Sequence, residues 1–355
     1  MRIDPAKVDV IAPNFKRRLS GVTSTIVQLV PVMQSRGIRI ATVGPGLPDD
    51  FPRLSWRDLP RLRRPPAGKP FRIWHARRNT EMIGGIVLRD LLRLPLRLVF
   101  TSAAQRHHKP FTKWLIRRMD AVVATSKRSA AFLEVPHVVI RHGIDLARFH
   151  PPAGDADSWA ATGLAGQYAI GCFGRLRHQK GTDLFVDAMI ALLPSFPQWT
   201  AIVSGRVTAE HAGYAEALSR RIADAGLAER ILMLGEVDDI KPWYRRISLY
   251  VAPSRNEGFG LTPLEAMASG KAVVASDAGA YAEIVETGVT GAVVPAGDGM
   301  RLQEAIRGYI ADPSMAARHG QAALAAVRAT FPLDRECTEL RSVYDTLWYG
   351  ASPAG

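Results

Sequence analysis

Two short stretches in the second half of the chain combine cations, carboxylates and glycines in a way that suits an anionic, hydroxyl-rich ligand. The first, residues 174–181 (GRLRHQKG), sets Arg175, Arg177 and Lys180 between Gly174 and Gly181. Close backbone approach at glycines, with positive charge alongside, is how a βα loop holds a pyrophosphate. The loop is not a Walker A motif, because Gly181 follows the lysine where Ser or Thr would serve Mg²⁺. A GxGxxG dinucleotide fingerprint is also missing from the sequence. The second stretch is residues 256–265 (NEGFGLTPLE). Backbone N–H groups of Gly260, Leu261 and Thr262 at a helix start suit phosphate. Gly258 and Gly260 let the backbone come close. Glu257 and Glu265 then accept hydrogen bonds from sugar hydroxyls. The same letters also fit a capping box, with Thr262 as N-cap, Pro263 in the first helical position and Glu265 bonding back to the cap amide. That reading covers Thr262, Pro263 and Glu265 but leaves Glu257, two glycines and Phe259 without a role.

Both stretches need elements that present them together. Short β-branched runs alternate with amphipathic helical stretches along the whole chain. In the first half, strands are expected at 8–12, 38–43, 71–75, 96–101, 120–125 and 137–140, with helices at 22–36, 80–92, 111–118 and 127–133. Residues 151–166 have little periodicity and read as a linker. The pattern restarts with strands at 168–174, 199–205, 231–234, 249–253, 272–276 and 292–294, and helices at 182–193, 211–225, 263–269 and 300–311. Such alternation indicates parallel sheets wrapped by helices. The organisation expected is an α/β chain of two doubly wound, Rossmann-like domains facing a cleft, spanning 1–155 and 167–330. Residues 331–348 form a closing helix, with the first domain as one surface to pack on. Both loops then follow strands, where ligands of doubly wound sheets sit.

Composition sets the remaining bounds. The chain has 355 residues, 47% hydrophobic and 22% charged, as in a soluble globular protein. Its longest uncharged run, 158–174, is too polar and too short for a membrane span. Arg2, Asp4, Lys7 and Asp9 leave no apolar signal-peptide core. Two cysteines, Cys172 and Cys337, lack metal-ligand spacing and suit a reducing cytoplasm. Charge is uneven. Residues 1–150 carry 28 Lys and Arg against 10 Asp and Glu, a net of +18; the remainder carries 18 against 23, a net of −5. A cationic half attracts nucleic acid, acidic glycans or anionic head groups, although blocks of charge also occur as plain solvated faces. Basic residues mix with aromatics and leucines at 56–69, 89–97 and 106–118. This suits docking on an anionic membrane.

The loop with Arg175 and Lys180, followed by Glu257 and Glu265 inside EGFGLTPLEAMASG, closely resembles family 4 retaining glycosyltransferases of the GT-B fold. HGIDLARF (142–149), SDAGAYAEIV (276–285) and GVTGAVV (288–294) occur in that family's order. The resemblance implies a C-terminal domain that binds a nucleotide sugar as substrate, with no bound metal and no cofactor. Arg175 and Lys180, in the loop opened by Gly174, match the pair that grips the diphosphate. Glu257 lies near the donor sugar and completes the catalytic candidates. Glu265 meets the ribose, and Phe259, Gly260, Leu261 and Thr262 surround sugar and phosphate. The DxD sequence Asp155-Ala156-Asp157 falls in the linker and reads as loop.

The acceptor half is less explicit. In SGVTST (20–25) the resemblance puts Gly21 close to donor phosphate and acceptor; a simple Ser or Thr N-cap explains the hydroxyls equally well. His75, Arg77 and Arg78 end the third strand, and two arginines beside a histidine favour an anionic ligand. Many family members carry a histidine where this chain has Ala103, while His107 and His108 follow at a displaced position. Residues 17–32, 73–82 and 99–126 are similar to the lipopolysaccharide-core mannosyltransferases of Gram-negative bacteria. That implies GDP-mannose as donor, an anionic glycolipid acceptor, and a cytoplasmic protein held peripherally on the inner face of the inner membrane. Three alternatives stand beside it. One is a family 4 enzyme using a UDP-sugar or another lipid or glycan acceptor, and another is a sugar-nucleotide epimerase. The third is a non-catalytic module binding an anionic polymer such as nucleic acid, which no zinc-finger, recognition-helix or RNP-like motif supports.

Overall fold

The computed structural model describes residues 3–17 and 21–350. Ser20, weighed above as a cap, lies outside the described residues. The chain forms two compact units, one running through Gly143 and resuming at Leu333, the other Ile144–Pro332.

In the first unit seven strands form one parallel sheet: β1 (Val10–Pro13), β2 (Ile40–Val43), β3 (Arg53–Leu54), β4 (Arg72–Ala76), β5 (Leu96–Ser102), β6 (Ala121–Ala124) and β7 (Val138–Val139). Their order is β3-β2-β1-β4-β5-β6-β7. Helices α1 (Gly21–Ser35), α2 (Asn79–Ile86), α3 (Pro110–Ile116) and α4 (Lys127–Ala130) connect them, and α2 runs on as a π turn, Val87–Leu91. The strands are apolar on both sides because both faces are covered. Ile73 and Val99 join the core under α1, whereas Trp74, Leu98 and Phe100 face the core under α2 and α3.

The second unit repeats the plan with β8 (Tyr168–Phe173), β9 (Trp199–Ser204), β10 (Ile231–Gly235), β11 (Leu249–Ala252), β12 (Ala272–Ser276) and β13 (Gly291–Val294). Its order, β10-β9-β8-β11-β12-β13, reverses direction between β8 and β11. Helices α5 (Thr182–Leu192), α6 (Ala212–Asp224), α7 (Lys241–Arg246), α8 (Thr262–Ala268), α9 (Tyr281–Ile284), α10 (Gly299–Ala311) and α11 (Pro313–Thr330) wrap it. Along β8 the period of two sends Ile170 and Cys172 to one core and Ala169 and Phe173 to the other. Two Rossmann-like α/β units of this kind make up the GT-B fold.

Two expectations about boundaries need correction. The first domain does not extend to residue 155. The Ile144 amide donates to Phe331 O (2.8 Å), and Ile144, Phe149 and Trp159 are buried in the second unit's core. The stretch 151–166 is therefore tied down as well as irregular. Arg245 pairs with Asp157 at 2.6 Å, and Asp157 also accepts from the Ala153 amide, so this DxD carboxylate holds a turn. The last helix, α12 (Leu333–Tyr349), belongs to the first unit. Leu333, Cys337, Leu340 and Tyr344 recur every three or four residues and share a core with Ile26, Leu29, Val30 and Met33 of α1. Glu336 fixes the return by accepting from the Gly143 amide (2.8 Å) and meeting His142 Nδ1 (2.8 Å).

Candidate active site

The β8/β11 reversal is where a doubly wound sheet opens a crevice at its carboxyl edge. Residues 174–181 leave β8 there and residues 253–261 leave β11, so two strands distant in sequence deliver their loops side by side. Gly181 makes the approach possible. It has φ +70°, and a Cβ on it would lie 1.9 Å from Pro253 O. Gly205 does the same on the other flank, where a Cβ would meet Gly174 O at 1.8 Å. Gly174 itself takes φ +146°, and its amide donates to Ser204 O at 2.9 Å.

Lys180 and Glu257 meet at this junction as an ion pair, Lys180 Nζ donating to Glu257 Oε2. The other oxygen, Oε1, accepts from the Gly258 amide at 3.1 Å, and the Tyr281 hydroxyl lies 3.4 Å from Oε2. Lys180, Thr262, Tyr250 and Tyr281 line a small hollow at this junction. Gly174 also lines it, and Arg175, the next residue, is half-buried.

The capping-box reading of residues 262–265 is not what forms. Leu261 precedes α8 without a side-chain cap, and Thr262 is the first helical residue. Glu265 turns away from the helix start and accepts from the Tyr244 hydroxyl at 2.7 Å. Tyr244 is fully buried among Phe149, Phe173 and Tyr250. Burial pushes the Glu265 carboxyl up, while the Tyr244 hydroxyl and the Lys180 charge pull it partly back. Glu265 is thus an oriented carboxylate, and Lys180 acts electrostatically on it as well as pairing with Glu257.

Two glycine-loop expectations change in cause. Gly260 has φ +87° and faces the Tyr281 ring, which a Cβ would meet at 2.2 Å. Packing alone therefore demands glycine there. Phe259 is 4% exposed and packs in the core, so its ring anchors the loop, and its carbonyl accepts from the Ala280 amide at 3.2 Å. Leu261 and Thr262 stay half-buried at the loop's end.

A clamp that the sequence reading missed holds the two loops together. Arg255 donates to both Asp183 oxygens at 2.7 Å and to His178 O at 2.8 Å, and its amide donates to Gln179 O at 2.8 Å. Tyr214 adds a hydroxyl bond to Asp183 Oδ1 at 2.9 Å. Burial raises the Asp183 pKa, but the Arg255 and Tyr214 hydrogen bonds outweigh it and the net shift is downward. A lone arginine between serine and asparagine carries no periodicity that would have flagged it.

In the first unit the expected acceptor residues separate into different roles. His75 is buried, with Nδ1 2.6 Å from the Tyr344 hydroxyl and Nε2 2.7 Å from Thr101 Oγ1. Both ring nitrogens are taken, and burial beside Arg77 and His142 holds its pKa well below the usual histidine value. His75 is a core residue and does not face an acceptor. Arg78 is equally committed, reaching Glu81 (2.6 Å), Asn14 (2.8 Å) and Thr23 (3.0 Å). Arg77, half-buried, has its pKa lowered by burial and donates to His75 O at 3.2 Å. His107 is exposed against the Phe132 ring, and His108 Nε2 sits 3.4 Å from Ser102 Oγ on the next turn of chain. Gly21 opens α1 with nothing within 4 Å of a Cβ placed on it, so the fold gives no steric reason for glycine there.

The chain is similar to several known proteins. A family model for glycosyl transferases group 1 matches residues 167–312, the stretch that carries both loops. The lipopolysaccharide core biosynthesis mannosyltransferase LpcC of Rhizobium leguminosarum bv. viciae is 66% identical over 344 residues, 97% of this chain and 98% of its own. LpsB of Rhizobium meliloti, of the same description, is 53% identical over 97% of this chain and 99% of its own. In overall fold the chain is similar to Anabaena HepE solved with UDP and glucose, at a TM-score of 0.81 and 20% identity over 95% of this chain and 99% of that one. With near full-length identity at this level, and the two loops on the matched sheet, the chain belongs to the group 1 glycosyl transferases, enzymes of the GT-B fold.

Proposed function

We propose that the chain transfers a mannosyl residue from GDP-mannose to the lipopolysaccharide core with retention of anomeric configuration. The observation that carries the donor assignment is the meeting of Lys180 and Glu257 at the β8/β11 reversal, with Glu265 oriented nearby. The mannosyl donor and the core acceptor are inferred from the 66% and 53% identical relatives. The cationic first half suits an anionic glycolipid on the cytoplasmic face of a membrane. Among the described residues no helix is long and apolar enough to cross a membrane, so attachment would be peripheral.

Glycosyl transfer leaves a nucleoside diphosphate with new negative charge, and stabilising that charge as it develops is the protein's main electrostatic task. Lys180 and Arg175 serve the diphosphate. Glu257, held by the Gly258 amide, accepts from sugar hydroxyls, and a diphosphate entering the site shares Lys180 with it. Glu265 takes a ribose hydroxyl on the oxygen that Tyr244 leaves open. The leaving phosphate helps to remove the acceptor proton from the same face, without a flanking carboxylate pair or a metal.

A thermal-shift screen of GDP-mannose against UDP-sugars tests the donor, since a ligand bound by the native state raises apparent stability. The expected result is a shift with GDP-mannose. A shift confined to a UDP-sugar overturns the mannosyl assignment. Lys180→Ala should lower turnover roughly a hundredfold or more with the fold intact; wild-type turnover in that variant sinks the donor site.

A further inference from the structure

We propose that Tyr281 is the positioning residue for Glu257: its buried hydroxyl takes over the Glu257 carboxylate when a nucleoside diphosphate draws Lys180 away. This rests on the reading above of Glu257 as the carboxylate that meets the donor sugar.

A third loop, residues 277–281, leaves β12 and backs the loop that follows β11. Gly279 has φ +61°, and a Cβ on it would lie 2.6 Å from Gly258 O. The close approach lets the Ala280 amide reach Phe259 O at 3.2 Å. Tyr281, which opens α9, is thereby carried beneath the residues around Glu257 and is only 1% exposed. A phenylalanine would fill that space without a polar atom to satisfy, and a buried hydroxyl is costly unless it is bonded. The Tyr281 hydroxyl lies 3.4 Å from Glu257 Oε2 and 3.5 Å from Ser254 Oγ. Both contacts are longer than an ordinary O–H···O bond of about 2.7–2.8 Å. The hydroxyl thus stands between two partners with neither bond fully made.

Glu257 is the group whose needs change on binding. Its side chain is 16% exposed, with Oε2 paired to Lys180 and Oε1 accepting from the Gly258 amide. A diphosphate competes for Lys180 with more negative charge than one carboxylate carries. Once the ammonium turns toward it, Oε2 is a largely buried carboxylate oxygen deprived of its cation, a costly state. The Tyr281 hydroxyl is the next donor in reach, and a shift of roughly 0.7 Å makes the bond. Bonds to an ionised acceptor are about twice as strong as neutral ones, so the contact with Glu257 then wins over that with Ser254. Burial and the Glu257 charge push the Tyr281 pKa well above the ordinary tyrosine value, which keeps the phenol protonated and able to donate. The carboxylate stays aimed at the sugar while the cation changes partners.

The test is a double-mutant cycle in urea unfolding without ligand, joined to titration calorimetry with GDP-mannose. With Lys180 in place the phenol is loosely engaged, so Tyr281→Phe should move the urea midpoint little. In Lys180→Ala the phenol already holds Glu257, and the same change should move the midpoint roughly twofold further or more. Tyr281→Phe alone should weaken GDP-mannose binding roughly tenfold. A tyrosine that only fills the core gives equal midpoint shifts in both backgrounds and unaltered GDP-mannose affinity; either result overturns the proposal. Absence of GDP-mannose binding by the wild type would defeat the donor reading, while the urea cycle, run without ligand, still judges the hand-over.

Discussion

Removing Arg255 asks whether the donor loops are held as one body by a residue that touches no substrate. Its guanidinium makes two 2.7 Å bonds to Asp183 and one to His178 O, while its amide bond to Gln179 O survives truncation to alanine. Side-chain exposure is 24% for Arg255 and 18% for Asp183, so the pair is neither a freely solvated bridge nor a dry one. Surface pairs contribute about 0–1 kcal/mol and charged hydrogen bonds about 1.5–3 kcal/mol. With Tyr214 still donating to Asp183, Arg255→Ala should cost about 2 kcal/mol in urea unfolding. Donor affinity should fall about tenfold, because loop 174–181 then samples positions where Lys180 and Glu257 no longer meet. Arg255→Lys restores charge but not the fork and should recover only part of both losses. The Asp183 pKa is depressed, so its stability contribution is present above the ordinary carboxylate range and is lost as pH falls through the folded value. That acid-side loss should shrink in Arg255→Ala. A double-mutant cycle with Asp183→Asn should return a coupling of about 1–2 kcal/mol. Additivity within about 0.5 kcal/mol, with unchanged donor affinity, would refute the clamp.

Three further outcomes follow from the same geometry. Tyr244→Phe removes the bond that orients Glu265 and one influence lowering its pKa. Donor affinity should drop about tenfold, and its loss on acidification should begin at higher pH than in wild type, as read by titration calorimetry across pH. His75→Leu leaves the Tyr344 and Thr101 hydroxyls without their ring partners and should cost about 3 kcal/mol of stability, with donor binding by the folded protein unchanged. Because the buried ring resists protonation, wild-type stability attributable to it is present above the ordinary histidine pKa and is lost as pH falls below it; His75→Leu should abolish that component of the acid arm. Gly181→Ala drives a Cβ into Pro253 O and strains a left-handed backbone. The expected loss is about 3 kcal/mol or more in urea unfolding, and a variant as stable as wild type would contradict the close approach of the two loops.

Periodicity carried most of the fold. Strands such as 168–173 and 272–276 read clearly because sheets buried on both faces leave continuous apolar runs between glycines. The two-residue β3 and the short helices α7 and α9 were invisible, since they span too few residues to show a period. The boundary at Ile144 was missed for a different reason. Residues 144–166 are irregular in the chain but are held by long-range contacts, Ile144 to Phe331 and Arg245 to Asp157, that no local window contains. The site divides the same way. Lys180 and Glu257 stood out through the order and spacing of their two glycine-bearing loops, each placed after a strand, and the sheet reversal then brings them together. Gly260 and Phe259 stood out for reasons the fold replaces, namely the Tyr281 ring and the core. Arg255, Asp183 and Tyr244 were hidden because each works through a partner at least 21 residues away. His75 was the opposite case, a polar residue at a strand end whose partner, Tyr344, arrives 269 residues later on α12. The residues proposed to meet a ligand were thus legible from type and spacing, whereas those that hold them required the fold, because a positioning contact leaves no mark on its neighbours in sequence.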